Sequence, residues 1–262
     1  MEKMTRVIDI GRDKDYYDNL HKAPETPSVD PLDLYRHRIA LNICRHVAAC
    51  ADEEMGGVRL LNVGGGFGKE AFFLLSKRII NTLVLCDRSP SQLFQSKKYL
   101  AQFPNVYRVC GDGERLPLKD DAFDICWIIE ALHHFEDPRR GIDECIRATK
   151  KAIIIDEPSG GRIRAILNRV FIVLGIKEEH ERGYLEAFRI DRHFIADLCR
   201  AGRIKAVYFP YFIYYFEWYK KCRNVVIKSC YAATLRAVNF ICHNFGNRAI
   251  VVLFLKSEHE TN

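Results

Sequence analysis

The ten cysteines include no C-x-x-C pair and show no clustered pattern of histidine partners, so the ligand spacing of a structural zinc site is missing. No stretch reaches eighteen uncharged apolar residues, which leaves nothing to read as a membrane-crossing helix. The first twenty residues carry charges throughout and have no apolar centre, so they do not read as a secretory leader. Acidic residues are absent from Trp218 to Leu255. What remains is a chain of 262 residues, 48% hydrophobic, enough to bury one substantial core. Cys86, Cys110 and Cys126 fall in apolar runs, where a free thiol packs as a small apolar group, and a reducing, cytoplasmic setting is the expectation.

Apolar runs alternate with amphipathic stretches, the pattern of βαβ units on a parallel sheet. Strands are expected near 58–63, 82–87, 105–110, 123–129 and 151–156, with two more near 204–216 and 249–256 forming an antiparallel edge. Helices fill the intervals, one over 71–80, with Pro90 and Pro138 in first turns, where a missing N–H costs nothing. An extension over 1–55, helical from Leu32 to Ala51, precedes the main domain at 56–262. Within it, 157–248 reads as the substrate side, with helices over 163–174 and 191–201 around a charged stretch at 177–182.

The first strand runs into Gly64-Gly65-Gly66-Phe67-Gly68, and the second ends at Asp87. Glycines let the main chain approach a ligand closely, and the amides at the following helix start suit polar or anionic groups. An acidic strand end about twenty residues on can accept both ribose hydroxyls. A dinucleotide fingerprint would need a third glycine where Lys69 stands. A phosphate-binding P-loop would need glycine at Val63 and a hydroxyl at Glu70. Both fail, and the order that remains suits one nucleoside with an amino-acid tail. Other readings of single residues stay open: Asp87 could cap the next helix with Ser89, and Asp112 could be a turn residue.

The second block runs from Gly111 to Pro138 and contains Gly-Asp-Gly, the apolar run 123–129 and Glu130-Ala-Leu-His-His134. Together with the glycine turn it resembles the class I S-adenosylmethionine-dependent methyltransferases, especially the subgroup with the ubiquinone and menaquinone biosynthesis enzymes, over about Val58 to Glu157. The resemblance implies a Rossmann-like α/β fold: a seven-stranded, mostly parallel sheet with one antiparallel edge strand and helices on both faces. It implies S-adenosylmethionine as cofactor, with Asp87 on the ribose, Asp112 on the adenine amino group, the Gly113 amide at the ring edge, and Gly64 and Gly66 along the methionine end. The full cofactor set expected is Asn62, Gly64, Gly65, Gly66, Asp87, Arg88, Asp112, Gly113 and Glu130. One position departs: where the family's first motif opens with Asp or Glu, this chain has Asn62, which keeps a hydrogen bond but loses the charge that would favour the cofactor's ammonium.

For the chemistry, a sulfonium methyl is already activated, so the protein mainly has to align a nucleophile, and a base is needed only if the acceptor carries a proton. His133 and His134 follow the fourth strand, at the carboxyl edge where open α/β sheets place their crevice. Imidazole titrates near neutrality and could take a hydroxyl or phenol proton, with His134 favoured. Glu157, after the fifth strand, is a further candidate, and Arg162 and Arg164 could hold an acidic acceptor.

Charge is uneven. Residues 1–150 carry 22 Lys/Arg and 23 Asp/Glu, whereas 151–262 carry 18 and 11, so the basic excess lies in the C-terminal part. Nine of the twelve residues from Tyr208 to Tyr219 are aromatic. Three readings of 208–248 stand side by side: a buried edge strand with a solvated basic helix that could form a homodimer face, a contact with a lipid surface or lipid-linked acceptor, and an RNA contact. Glu130 to His134 does not match the Asn-Pro-Pro-Tyr motif of nucleic-acid amino-group methyltransferases, which counts against RNA. The expected function is methyl transfer to a small-molecule or lipid-like acceptor, at oxygen with nitrogen and carbon left open, in the cytoplasm or at the periphery of a membrane. A non-methylating decarboxylase or cyclase and a noncatalytic cofactor-binding module are the alternatives.

Overall fold

The computed structural model describes residues 30–50, 57–159, 188–200, 204–213, 219, 221–241 and 246–255. The helix expected over 163–174, the charged stretch at 177–182, Arg162, Arg164 and residues 214–218 of the aromatic run lie outside them.

Helix α1 (Pro31–Cys50) precedes β1 (Arg59–Val63), α2 (Lys69–Ser76), β2 (Thr82–Asp87), α3 (Pro90–Gln95), α4 (Lys97–Leu100) and β3 (Val106–Cys110). Then come β4 (Phe123–Ile129), a 3₁₀ turn (Leu132–His134), α5 (Pro138–Ala148), β5 (Thr149–Pro158), α6 (Arg192–Cys199), β6 (Ile204–Tyr211), α7 (Val225–Ile241) and β7 (Arg248–Leu255). The strands form one sheet in the order β3-β2-β1-β4-β5-β7-β6. Strands β1 to β5 run parallel, and β7 pairs antiparallel with both β5 and β6. The seven-stranded, mostly parallel architecture read from the sequence is therefore present. Its one reversed strand sits one place in from the edge.

Every residue of β4 is buried, as expected for a central strand covered on both faces. Alternate side chains divide the core in two. Ile154, Ile250 and Leu85 pack with Leu74, Leu100 and Leu235 on one face, while Ile153, Ile155 and Val251 pack with Ile142, Cys145 and Leu198 on the other. Cys126 and Cys145 lie in this second layer and Cys86 packs there too, whereas Cys110 is exposed at the strand end.

Local signals fix the boundaries. Ser89 caps α3 by accepting the Gln92 amide proton, and Asp137 caps α5 by accepting that of Arg140, each with proline next in line. Helix α2 starts at Lys69, two residues earlier than its apolar period suggests, because Gly68 in left-handed conformation is its N-cap. It ends early because Arg78 turns to φ +52°. Strand β5 extends past its apolar centre because β7 pairs with it from Ala152 to Pro158. Strand β6 stops at Tyr211, where the Asn247 side chain takes over, accepting from the Ile213 amide and donating to its carbonyl.

Between β6 and β7 lies α7, which packs on α1. Asp30, just before α1, receives Tyr219 Oη and Lys228 Nζ. The expectation of a solvated basic helix is corrected here. Lys228 turns inward to Asp30, and the outward row of α7 is apolar.

Candidate functional site

The chain runs outward from β1 through β2 to β3 and then returns to place β4 on the other side of β1. Both neighbouring connections leave the carboxyl ends of these strands in opposite directions, which opens a crevice. A cavity of about 310 Å³ lies there, lined among others by Gly64, Gly65, Gly66, Asp87, Arg88, Asp112, Gly113, Glu130, His134 and Phe135. That volume falls at the lower end of the small-molecule range.

The glycine turn is its floor. Gly64 and Gly66 have φ of +65° and +49°, and a Cβ would meet the Ala131 Cβ at 2.3 Å or Gln92 Oε1 at 2.5 Å. Only bare backbone fits this turn. Asp87 holds it from the side: Oδ2 accepts from the Gly66 amide and Oδ1 from the Ser89 amide, both at 2.8 Å. Burial pushes its carboxyl above the ordinary carboxylate range, and the three amides of Gly66, Arg88 and Ser89 oppose that shift. The helix-entry reading of Asp87 and the ligand reading are thus compatible, since each carboxylate oxygen accepts more than one hydrogen bond.

At the opposite end Asp112 Oδ1 accepts from Arg88 Nη2 and from the Glu114 amide, each at 3.0 Å. Partial burial works against the charged form, but these two donors outweigh it and hold Asp112 below its usual range. Gly113 lies close under Phe135, whose ring a Cβ would strike at 2.4 Å. Asn62 is placed differently from the sequence expectation. It lies buried beneath Gly65, not on the cavity wall, with no hydrogen-bond partner for Oδ1 among the described residues.

Beyond β4, Glu130 adopts φ +53° and its carboxylate meets two cations, Arg36 Nη1 at 2.9 Å and Arg248 Nη1 at 2.8 Å. Both arginines also reach the buried Asp156, which accepts from Tyr211 Oη at 2.7 Å. Burial alone would raise the Glu130 pKa, yet Arg248 and Arg36 bring it to about 2. Glu130 is therefore a fixed anion on the wall. Nothing in the local sequence announces this cluster, because its members come from α1, β5, β6 and β7.

Of the two histidines, His134 lines the cavity and His133 does not. His133 Nδ1 lies 2.6 Å from Glu157 Oε2, while Glu157 Oε1 accepts from the Ala131 and Leu132 amides. Glu157 is fully buried, and its oxygens are engaged in holding the 3₁₀ turn. This corrects the expectation for both: His133 and Glu157 sit behind the wall and position the turn that carries His134. Burial drives the His134 pKa down to about 3, with His133 pushing the same way and Glu130 opposing. A base that weak cannot hold a proton near neutrality. Glu114, missed in the sequence, performs a parallel task by accepting from the Glu136 and Asp137 amides. The buried carboxylate in Gly-Asp-Gly-Glu was its only signal.

Residues 61–154 match the family model described as "Methyltransferase domain". The chain is 28% identical over 123 residues to 2-methyl-6-phytyl-1,4-hydroquinone methyltransferase 1 of Oryza sativa subsp. japonica, covering 47% of this chain and 31% of that protein. It is 31% identical over 109 residues to the demethylmenaquinone methyltransferase of Clavibacter sepedonicus, covering 42% and 40%. The chain thus spans less than half the length of these relatives. Among solved structures it is similar to magnesium protoporphyrin IX methyltransferase from Synechocystis PCC 6803, with a TM-score of 0.60 at 10% identity, covering 95% of this chain and all of that one. At that identity the likeness establishes the fold.

Proposed function

We propose, on the premise that residues 61–154 of this chain are a methyltransferase domain, that the protein is an S-adenosylmethionine-dependent methyltransferase. Its acceptor on this reading is a lipid-like or small molecule bearing a hydroxyl, methylated at oxygen. One observation carries the cofactor reading: a bare-backbone glycine turn after β1, Asp87 at the end of β2 and Asp112 just past β3 follow one another along the crevice where the strand order reverses.

The residues fit the group. Asp87 would take the ribose hydroxyls on its remaining lone pairs, and Asp112 the adenine amino group, beside the Gly113 amide. Gly64, Gly65 and Gly66 would face the methionine end. When bound, the cofactor supplies a methyl group already activated on a sulfonium.

The chain's own residues then have three tasks. Ile129 and Ala131 give the β4 side of the cavity an apolar wall, and Phe135 covers Gly113. Glu130 offers a fixed carboxylate to an ammonium or hydroxyl, clamped so that it needs no reorganisation. His134, neutral down to about pH 3, accepts a hydrogen bond from the acceptor hydroxyl without abstracting its proton, which leaves to solvent as the oxygen is methylated. The names of two relatives support a lipid-like acceptor: a phytylated hydroquinone and a demethylmenaquinone.

The test is incubation of the purified protein with S-adenosylmethionine and a set of phenols, prenylated hydroquinones and fatty alcohols. The expected result is a singly O-methylated product together with S-adenosylhomocysteine. A methyl group on carbon overturns the oxygen assignment, and cofactor binding without any methylated product overturns the reading as a methyltransferase of this acceptor class.

A further inference from the structure

Helix α7 turns one face onto α1 and the sheet through Ala232, Leu235, Tyr231 and Asn239. Its opposite face has no packing partner among the described residues, and it is not polar. Val226, Cys230, Ala233, Ala237 and Phe240 are all exposed and recur at steps of four and three, which puts them in one row along the whole helix. The large side chains stand at the two ends of that row. Val226 is 65% exposed, Phe240 85% and its neighbour Ile241 75%. At about 1.5 Å per residue the row is on the order of 20 Å long, yet among the described residues no helix is long and apolar enough to cross a membrane.

The charges beside this row have one sign. Arg223 is exposed just before the helix, and Arg236 flanks the row with its guanidinium over the Tyr35 ring. From Trp218 to Leu255 no acidic residue stands against them. A second copy of the chain docking through this face would bring the same cations together with no counter-charge, since a two-fold contact places one patch against itself. A negatively charged, apolar-backed surface complements it.

We propose that the outer face of α7 is a docking surface for an anionic lipid bilayer, on which the helix lies flat with Val226, Phe240 and Ile241 inserted below the headgroups and Arg223 and Arg236 among them. The packing of α7 on α1 places this contact near the cavity. Arg236 lies over Tyr35, and the adjacent Arg36 reaches Glu130 on the cavity wall. Docking would bring the protein to the phase that holds a lipid-like acceptor; this consequence rests on the lipid-like acceptor reading, but the docking itself does not.

The experiment is co-sedimentation of the full chain with phosphatidylcholine vesicles and with vesicles that also contain phosphatidylglycerol, alongside light scattering for oligomeric state. Binding to the anionic vesicles and little to the neutral ones is the expected result. Phe240→Ser should weaken it roughly tenfold or more through lost apolar burial, and Arg223→Gln roughly fivefold. Both positions are exposed, so an unchanged melting temperature and unchanged S-adenosylmethionine affinity show that the variants are folded. No binding to anionic vesicles, or binding that Phe240→Ser and Arg223→Gln leave intact, overturns the proposal. A dimer that Phe240→Ser dissolves assigns the face to a second copy and overturns it as well. Failure of docking with retained turnover of a short-chain acceptor leaves the proposed activity standing, so the two can fail separately.

Discussion

Asp87 is the residue on which most of the cavity depends, because it both fixes the glycine turn and faces the space beside it. Its replacement by Asn keeps the shape but removes the charge and one acceptor, whereas Ala frees the Gly66 and Ser89 amides as well. Loss of a hydrogen bond to a charged group is worth about 1.5–3 kcal/mol. Asp87→Asn should therefore weaken S-adenosylmethionine binding by about tenfold or more in calorimetry while leaving the melting temperature within a few degrees. Unchanged affinity would remove Asp87 from the site. His134 gives a second residue-scale expectation. Its pKa falls from an ordinary 6.5 to about 3 in the folded chain, so between those values the unfolded chain binds the extra proton. Stability then declines as pH falls from 6.5, and Glu130, depressed from 4.5 to about 2, adds a second decline below 4.5. Chemical denaturation of His134→Asn across this range should show a flatter profile between pH 6.5 and 4.5 than the parent. An equally steep profile in the variant would show that another group causes the loss.

Among the elements, the glycine turn and the 3₁₀ turn follow the neighbouring strands β1 and β4 and lie in contact, side by side on the cavity wall. The Gly64 Cα lies so close to Ala131 that no Cβ can enter, and Ala131 is in turn held by Glu157 through its amide. Gly64→Ala combines that clash with a positive φ, so it should cost on the order of 1–3 kcal/mol of stability, read as a lower denaturation midpoint, and weaken cofactor binding too. A neutral effect would mean that the turn is free to shift. Much of this level was legible in the sequence. Strand ends at Val63, Asp87 and Ile129, the proline-started helices and the glycine turn all come from local patterns of period, cap and turn chemistry. What could not be read is which side of the wall a residue faces. His133 and His134 are adjacent in the chain, and only the 3₁₀ geometry sends one to Glu157 and the other to the cavity. The inward turn of Lys228 depended equally on Asp30, nearly two hundred residues away.

For the molecule as a whole, Arg36, Glu130, Asp156, Tyr211 and Arg248 join the first helix to β4, β5, β6 and β7 in one cluster of balanced charge, buried at Asp156, Tyr211 and Arg248 and open to the cavity at Glu130. Removing one member leaves an uncompensated charge. Arg248→Met should destabilise the fold by about 3–5 kcal/mol, visible as a large drop in the denaturation midpoint, and should raise the Glu130 pKa. A midpoint unchanged within error would mean that the cluster contributes no net stability. The cluster sets the wall against which the acceptor would sit, while the other half of the cavity is built from β1, β2 and the loops after them. The central claim is that this second half is made for one nucleoside with an amino-acid tail. The most direct test is calorimetric titration of the purified protein with S-adenosylmethionine, S-adenosylhomocysteine and NAD. Binding of the first two at one site per chain and no binding of NAD is the predicted result. Binding of NAD, or of none of the three, would contradict it.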